Sequence, residues 1–207
     1  MPDPSSPDPL AAVTRPFRAA IFDCDGTLAD TMPLHYRAWV ETLQARDAAM
    51  AEQLFYDLGG VPTVDIVRIL NDRFGYALEV EQTAEAKEAR YEELLHQAPP
   101  VERVVELVHE YALRYPLAVA SGGLRRLVEL TLEGLGLAGC FRVVCTAEDV
   151  ERGKPHPDLF LLAARRLGVP PEDCVVFEDS DLGLEAARRA GMQPVDIRPW
   201  LPERRGG

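Results

Sequence analysis

No stretch of this chain approaches the roughly 20 consecutive apolar residues that a helix needs to cross a bilayer. Nor does it open on a basic segment followed by an apolar one, so no secretory leader is expected. Basic residues are in deficit: 22 Lys and Arg against 34 Asp and Glu leave a formal charge of −12. Nucleic-acid binding rests on phosphate neutralisation by Lys and Arg, so that class of partner is set aside with the membrane. A small anionic ligand is not excluded, because a metal and one or two local cations can dominate a pocket. Cysteine is scarce. Cys24, Cys140, Cys145 and Cys174 form no CxxC pair and find no histidine at zinc spacing. Cys24, Cys145 and Cys174 lie in apolar, strand-like runs and read as buried free thiols; a reducing, cytoplasmic setting is expected.

What remains is ordinary for a globular domain: 47% hydrophobic and 27% charged residues. A chain of 207 residues can bury one good core with a smaller inserted domain. Residues 1–16, rich in Pro, Asp and Ser, are expected to be disordered, as is a tail over 200–207. No internal repeat is visible.

Between these ends the pattern changes twice. An apolar run from Arg18 to Phe22 stops at two carboxylates, Asp23 and Asp25, with Gly26 turning the chain directly after them. From Pro33 to Gln97 the periodicity is helical: Pro33 to Met50, a break at Phe55–Pro62, a helix ending near Phe74–Gly75, and a third from Val80. From Val101 short apolar runs alternate with helices, with strands expected at Leu117–Ala120, Phe141–Cys145, Cys174–Phe177 and Pro194–Ile197. That alternation predicts an α/β fold, a Rossmann-like, doubly wound parallel sheet over 17–33 and 98–199, with an all-helical insertion over 34–97.

The ends of these strands carry the chemistry. Paired carboxylates past a strand offer hard oxygen ligands for Mg²⁺, or a nucleophile and a general acid or base. Ser121-Gly122-Gly123 offers a hydroxyl and backbone N–H groups to a phosphate, though alone it is a generic turn. Lys154, between Gly153 and Pro155, can neutralise a phosphoryl group as a point charge. Glu178-Asp179-Ser180-Asp181 makes a second acidic strand end and is also a ready N-cap for the following helix.

Taken together, Phe22 to Thr31, Val119-Ala120-Ser121, Gly153-Lys154-Pro155 and Val176 to Ser180 resemble, in order, the four signatures of the haloacid dehalogenase (HAD) superfamily. The helical insertion resembles that superfamily's C1-type cap. The resemblance implies that Asp23 is a nucleophile forming an aspartyl phosphate and that Asp25 is the general acid and base. It implies that Asp23, the Asp25 backbone carbonyl and Asp179 hold Mg²⁺, with Glu178 acting through water. Lys154 would neutralise the phosphoryl group, and Thr27, Ser121 and Gly122 would bind its oxygens.

Within the superfamily, Asp30-Thr31 with His35, Arg37-Ala38-Trp39, Gly60-Val61-Pro62-Thr63 and Phe177 to Ser180 with Gly183 are similar to beta-phosphoglucomutase and the fructose-1-phosphatase type of sugar phosphatase. Lys87 and His35 then fall where the cap meets the substrate, a reading preferred for Lys87 over that of a snorkelling lysine. The mutases carry an arginine for the distal phosphate where this chain has Thr63, with only Arg68 nearby to replace it. A monomeric, Mg²⁺-dependent phosphatase acting on small sugar or sugar-acid phosphates is therefore expected, with a beta-phosphoglucomutase as the alternative.

Overall fold

The structure, a computed structural model, describes residues 9–201. In chain order its first elements are β1 (Ala19–Phe22), α1 (Met32–Gln44), α2 (Glu52–Asp57), α3 (Thr63–Phe74), α4 (Val80–Leu95), α5 (Glu102–Ala112) and β2 (Leu117–Ala120). There follow α6 (Arg125–Gly134), β3 (Val143–Cys145), α7 (Asp158–Leu167), β4 (Cys174–Glu178), α8 (Asp181–Arg189) and β5 (Gln193–Asp196). Two compact units result, one running to Asp30 and resuming at Pro99, the other spanning Thr31–Ala98.

In the first unit the five strands pair in parallel in the order β3-β2-β1-β4-β5. Every residue of β1, β2 and β4 is buried, as a parallel sheet covered on both faces requires. Alternation along β1 feeds two cores. Ala20 and Phe22 pack with Val104, Leu107 and Val108 of α5 and Val128 and Leu132 of α6. Ala19 and Ile21 pack on the other face with Leu159, Phe160 and Ala163 of α7 and Ala186 and Ala187 of α8. This is the Rossmann-like, doubly wound architecture that the strand and helix alternation predicts. Pro194 sits on β5, an edge strand, where a missing N–H is tolerated. Cys24, Cys145 and Cys174 are buried free thiols; Cys140 is half-buried.

The ends of this unit depart from expectation. Residues 1–8 and 202–207 lie outside the described residues, but 9–16 are ordered rather than disordered. Pro9–Ala12 forms a 3₁₀ turn whose Leu10 packs on the sheet's core together with Val13. The Thr14 and Arg15 N–H groups donate to Gln193 Oε1 at 3.1 and 2.9 Å, and Gln193 Nε2 donates back to the Arg15 carbonyl at 3.0 Å. Composition hid this because two apolar contacts and one amide suffice to hold a short Pro-rich segment. At the other end Trp200 and Leu201 also pack on the core, inside the expected tail.

The second unit is all helical, with its own core of Trp39, Leu43, Phe55, Val67 and Leu70. Its first helix stops at Gln44, not Met50, because Asp47 takes a left-handed conformation (φ 53°) and the Ala48 N–H turns back to the Leu43 carbonyl. The expected break at Phe55–Pro62 begins three residues later: Glu52–Asp57 is helical and buries Leu54 and Phe55. α3 ends as predicted at Gly75, a left-handed C-cap with φ 71°. Among the described residues no helix is long and apolar enough to cross a membrane.

Candidate active site

The order of the sheet places its switch point between β1 and β4, the position where open parallel sheets bind ligands. Register sets Phe22 level with Phe177, and their rings stack at 4.7 Å with planes 9° apart. The following residues, Asp23 and Glu178, therefore leave the sheet side by side. The Asp23 N–H extends the ladder by donating to the Phe177 carbonyl at 3.0 Å.

Lys154 ties these two ends together. Its Nζ donates to Asp23 Oδ1 at 2.5 Å and to Glu178 Oε2 at 2.7 Å, and lies 5.2 Å from the centroid of the Phe160 ring. Asp23, Glu178 and Asp179 each present an oxygen within 4.8 Å of the others. Burial pushes the Asp23 carboxyl well above its usual range; Glu178 and Asp179 push the same way, and Lys154 opposes them. For Lys154 burial alone would weaken the ammonium, but Asp23 and Glu178 outweigh it and raise its pKa. One ammonium among three carboxylates leaves surplus negative charge. Hard oxygens this close, with that surplus, fit a divalent cation.

Short side-chain links hold the acids in place. The Thr27 hydroxyl, fully buried, donates to Asp179 Oδ1 at 2.9 Å, so Thr27 positions a carboxylate. Gly26 has φ +87°, and a Cβ there would overlap the Asp179 carboxylate. Glu178 is a hub: its Oε1 accepts from the Ser180 hydroxyl at 2.8 Å and the Ser180 N–H at 2.9 Å. With Lys154 on its other oxygen, Glu178 is a poorer direct metal ligand than Asp23 or Asp179. Ser180 also caps α8, accepting from the Gly183 N–H at 3.1 Å.

The Asp25 side chain stands outside the acidic trio. Its Oδ2 lies 3.5 Å from the Ser121 hydroxyl, which itself accepts from the Gly123 N–H at 3.0 Å. Gly122 is exposed, with open space where a Cβ would stand. Asp23, Asp25, Thr27, Ser121, Gly122, Lys154, Glu178 and Asp179 thus converge at one end of one sheet.

The remaining predicted residues belong to the helical unit, where they meet one another. Lys87 Nζ lies 2.8 Å from His35 Nδ1. An ammonium has only donors, so Nδ1 accepts in this contact. The His35 ring stacks on Tyr91 at 3.7 Å. Lys87 also donates to Glu88 Oε1 at 3.0 Å, and that same oxygen accepts from the Thr63 hydroxyl at 2.5 Å. Glu88 was not foreseen; in a helix so rich in glutamate nothing in the local sequence separates it from its solvated neighbours. Arg68 is exposed and engaged by Asp65 at 2.8 Å and Glu81 at 3.7 Å.

The fold is thus a Rossmann-like sheet with an acidic, lysine-bridged cluster at its switch point. The chain belongs to the haloacid dehalogenase-like hydrolases: the model of that family matches residues 17–191. It is 40% identical over 183 residues to the fructose-1-phosphate phosphatase YqaB of Escherichia coli, covering 88% of this chain and 97% of that one. Among solved structures, CbbY from Rhodobacter sphaeroides in complex with phosphate superposes with a TM-score of 0.76 at 31% identity, covering 86% of this chain and 84% of that one. A putative beta-phosphoglucomutase from Thermotoga maritima gives 0.64 at 32% identity over 86% and 83%.

Proposed function

We propose that the protein is a Mg²⁺-dependent phosphatase of small sugar or sugar-acid phosphates that works through an aspartyl phosphate on Asp23. The observation that carries this reading is the bridge from Lys154 to Asp23, with the Asp25 side chain set apart from the acidic trio. A nucleophile and an acid at one strand end need different surroundings. Asp23 has a cation and the metal-fit oxygens; Asp25 has a hydroxyl. A Mg²⁺ ion held by Asp23, Asp179 and the Asp25 backbone carbonyl, with Glu178 in support, would screen the phosphate so that an anionic carboxylate can approach it.

The steps then fall to the chain's own groups. A carboxylate oxygen of Asp23 attacks phosphorus, and the bond to the sugar oxygen breaks. Asp25 gives that oxygen its proton, and the alcohol leaves. Asp25, now anionic, takes a proton from water as the water attacks phosphorus. The bond to Asp23 breaks and inorganic phosphate departs. Lys154 opposes the push that burial gives the Asp23 carboxyl and aims it, and Ser121 orients Asp25.

The substrate class rests on the likeness to a fructose-1-phosphate phosphatase. A beta-phosphoglucomutase must also grip a second phosphate. Thr63 is held by Glu88 and Arg68 by Asp65 and Glu81, so hydrolysis is favoured. Purified protein with Mg²⁺ is expected to release phosphate from fructose 1-phosphate or 6-phosphogluconate. With β-glucose 1-phosphate and a trace of the 1,6-bisphosphate, free phosphate should form ahead of glucose 6-phosphate. The reverse order would make the protein a mutase.

A further inference from the structure

Beside the Ser121-Gly122-Gly123 loop, within the α/β unit, lies a charged cluster that the hydrolytic steps leave unused. After β3 the chain turns through a short 3₁₀ segment, Ala147–Asp149, and the Asp149 side chain folds back over it. Its Oδ2 accepts from the Thr146 N–H at 2.9 Å and from the Thr146 hydroxyl at 3.3 Å. The same oxygen accepts from Arg125 Nη2 of α6 at 2.5 Å, while Oδ1 accepts from Arg166 Nη2 of α7 at 2.9 Å. The side chain is only 15% exposed, where an anion persists if it is paired and hydrogen-bonded. Burial pushes its carboxyl up, but the Thr146 N–H, Arg166 and Arg125 outweigh it and hold it below the usual range.

What this clamped turn holds in place is the Ser121-Gly122-Gly123 loop. The Ala147 N–H donates to the Gly123 carbonyl at 3.3 Å, and Glu148 Oε2 accepts from the Arg125 N–H at 2.6 Å where α6 begins. The Gly123 N–H donates in turn to Ser121 Oγ at 3.0 Å, and that hydroxyl lies 3.5 Å from Asp25 Oδ2. A Cβ on Gly123 would stand 3.2 Å from both oxygens, so this peptide is packed on the Ser121–Asp25 pair. We propose that Asp149 is a positioning residue for Asp25: by clamping the 146–149 turn to Arg125, it fixes the Gly123 peptide and, through it, the Ser121 hydroxyl on the Asp25 carboxylate. The inference rests on the reading of Asp25 as the acid that protonates the leaving oxygen.

That role makes the effect of Asp149 depend on the leaving group. A sugar alkoxide leaves poorly and needs the proton of a well-placed acid, whereas p-nitrophenolate is a stable anion that leaves without one. A misplaced acid therefore slows a sugar phosphate more than p-nitrophenyl phosphate. A smaller folded fraction slows both alike. The test is the ratio of kcat/KM for fructose 1-phosphate to that for p-nitrophenyl phosphate, measured with Mg²⁺. Asp149→Asn keeps the shape and one acceptor but turns an amide N–H₂ toward an arginine; the ratio should fall about tenfold or more. Arg125→Met, which removes the guanidinium and keeps an apolar stem, should lower the ratio in the same way if the first variant fails to fold. Equal losses with both substrates, or an unchanged ratio in folded variants, would overturn the positioning role and leave the phosphatase reading intact. A wild type that hydrolyses p-nitrophenyl phosphate and no sugar phosphate would overturn the sugar reading, and this inference with it.

Discussion

Lys87 and Lys154 are the chain's only lysines, against 20 arginines. Their side chains are just 3% and 6% exposed, and each is bonded to carboxylate. Solvent-facing cations here are arginine; lysine is kept for buried places that need a compact point charge. Lys154→Arg is accordingly not conservative. The planar fork would displace Asp23 and Glu178, and turnover of p-nitrophenyl phosphate should fall at least 100-fold. Thermal denaturation should register a loss of about 1–3 kcal/mol from overpacking. Retention of a tenth of the wild-type rate would remove Lys154 from the reaction. Asp23→Asn replaces the nucleophile with its own shape and relieves the crowding of acids. Activity should drop at least 1,000-fold while the melting temperature holds or rises; a residual rate of a few per cent would show that another group attacks. At alkaline pH the cysteines give a signed expectation. Burial pushes the Cys174 thiol up to about 11, so above about pH 8.5, where an unfolded thiol ionises, the unfolded chain releases a proton that the native chain keeps. Stability should therefore fall as pH rises from about 8.5 toward 11. Denaturant titrations at pH 8 and 10 should show a smaller loss for Cys174→Ala than for the wild type.

Among the elements, those that hold the acids are legible in the sequence for a simple reason. β1, β2 and β4 are buried on both faces and so appear as unbroken apolar runs, and each ends on a polar residue that cannot continue such a run. Asp23, Ser121 and Glu178 were visible on that account. What the sequence did not disclose is where side chains turn after a strand ends. Thr27 is expected at the phosphate; its hydroxyl also donates to Asp179, a contact that the residue types of the turn do not signal. Glu88 and α2 were hidden by their surroundings, one by a run of glutamates and the other by the Gly59-Gly60 pair just beyond it. Gly26 reads as a turn residue, yet its larger constraint is the Asp179 carboxylate, which lies where a Cβ would go. Gly26→Ala thus meets both an unfavourable φ and an overlap. The variant should lose roughly 1–3 kcal/mol by denaturant titration and lose activity out of proportion to that, since the overlap falls on a candidate metal ligand. A variant with wild-type activity would mean that Asp179 is free to move without consequence.

At the scale of the molecule, the chain carries two units with separate cores, and the acidic centre belongs wholly to one of them. Heat unfolding need not be a single two-state event, and a metal ion held by the acidic centre should act on the α/β unit's transition. A divalent cation that binds the folded site and not the unfolded chain stabilises it by about 2.7 kcal/mol at a hundredfold excess over its Kd. For a unit of this size that is a rise of roughly 5–10 °C. The surplus of carboxylate over Lys154 makes the sign firm: cation binding relieves repulsion that folding imposes on Asp23. Calorimetry with and without Mg²⁺ should therefore show a raised transition of the α/β unit. Ca²⁺ should raise it as well, since it too binds oxygen, but should not support turnover, because it takes more ligands at longer bonds. Asp179→Asn should abolish most of the shift in a folded protein. If saturating Mg²⁺ moves neither transition, the acidic trio is not a metal site, and Lys154 alone must balance the phosphate.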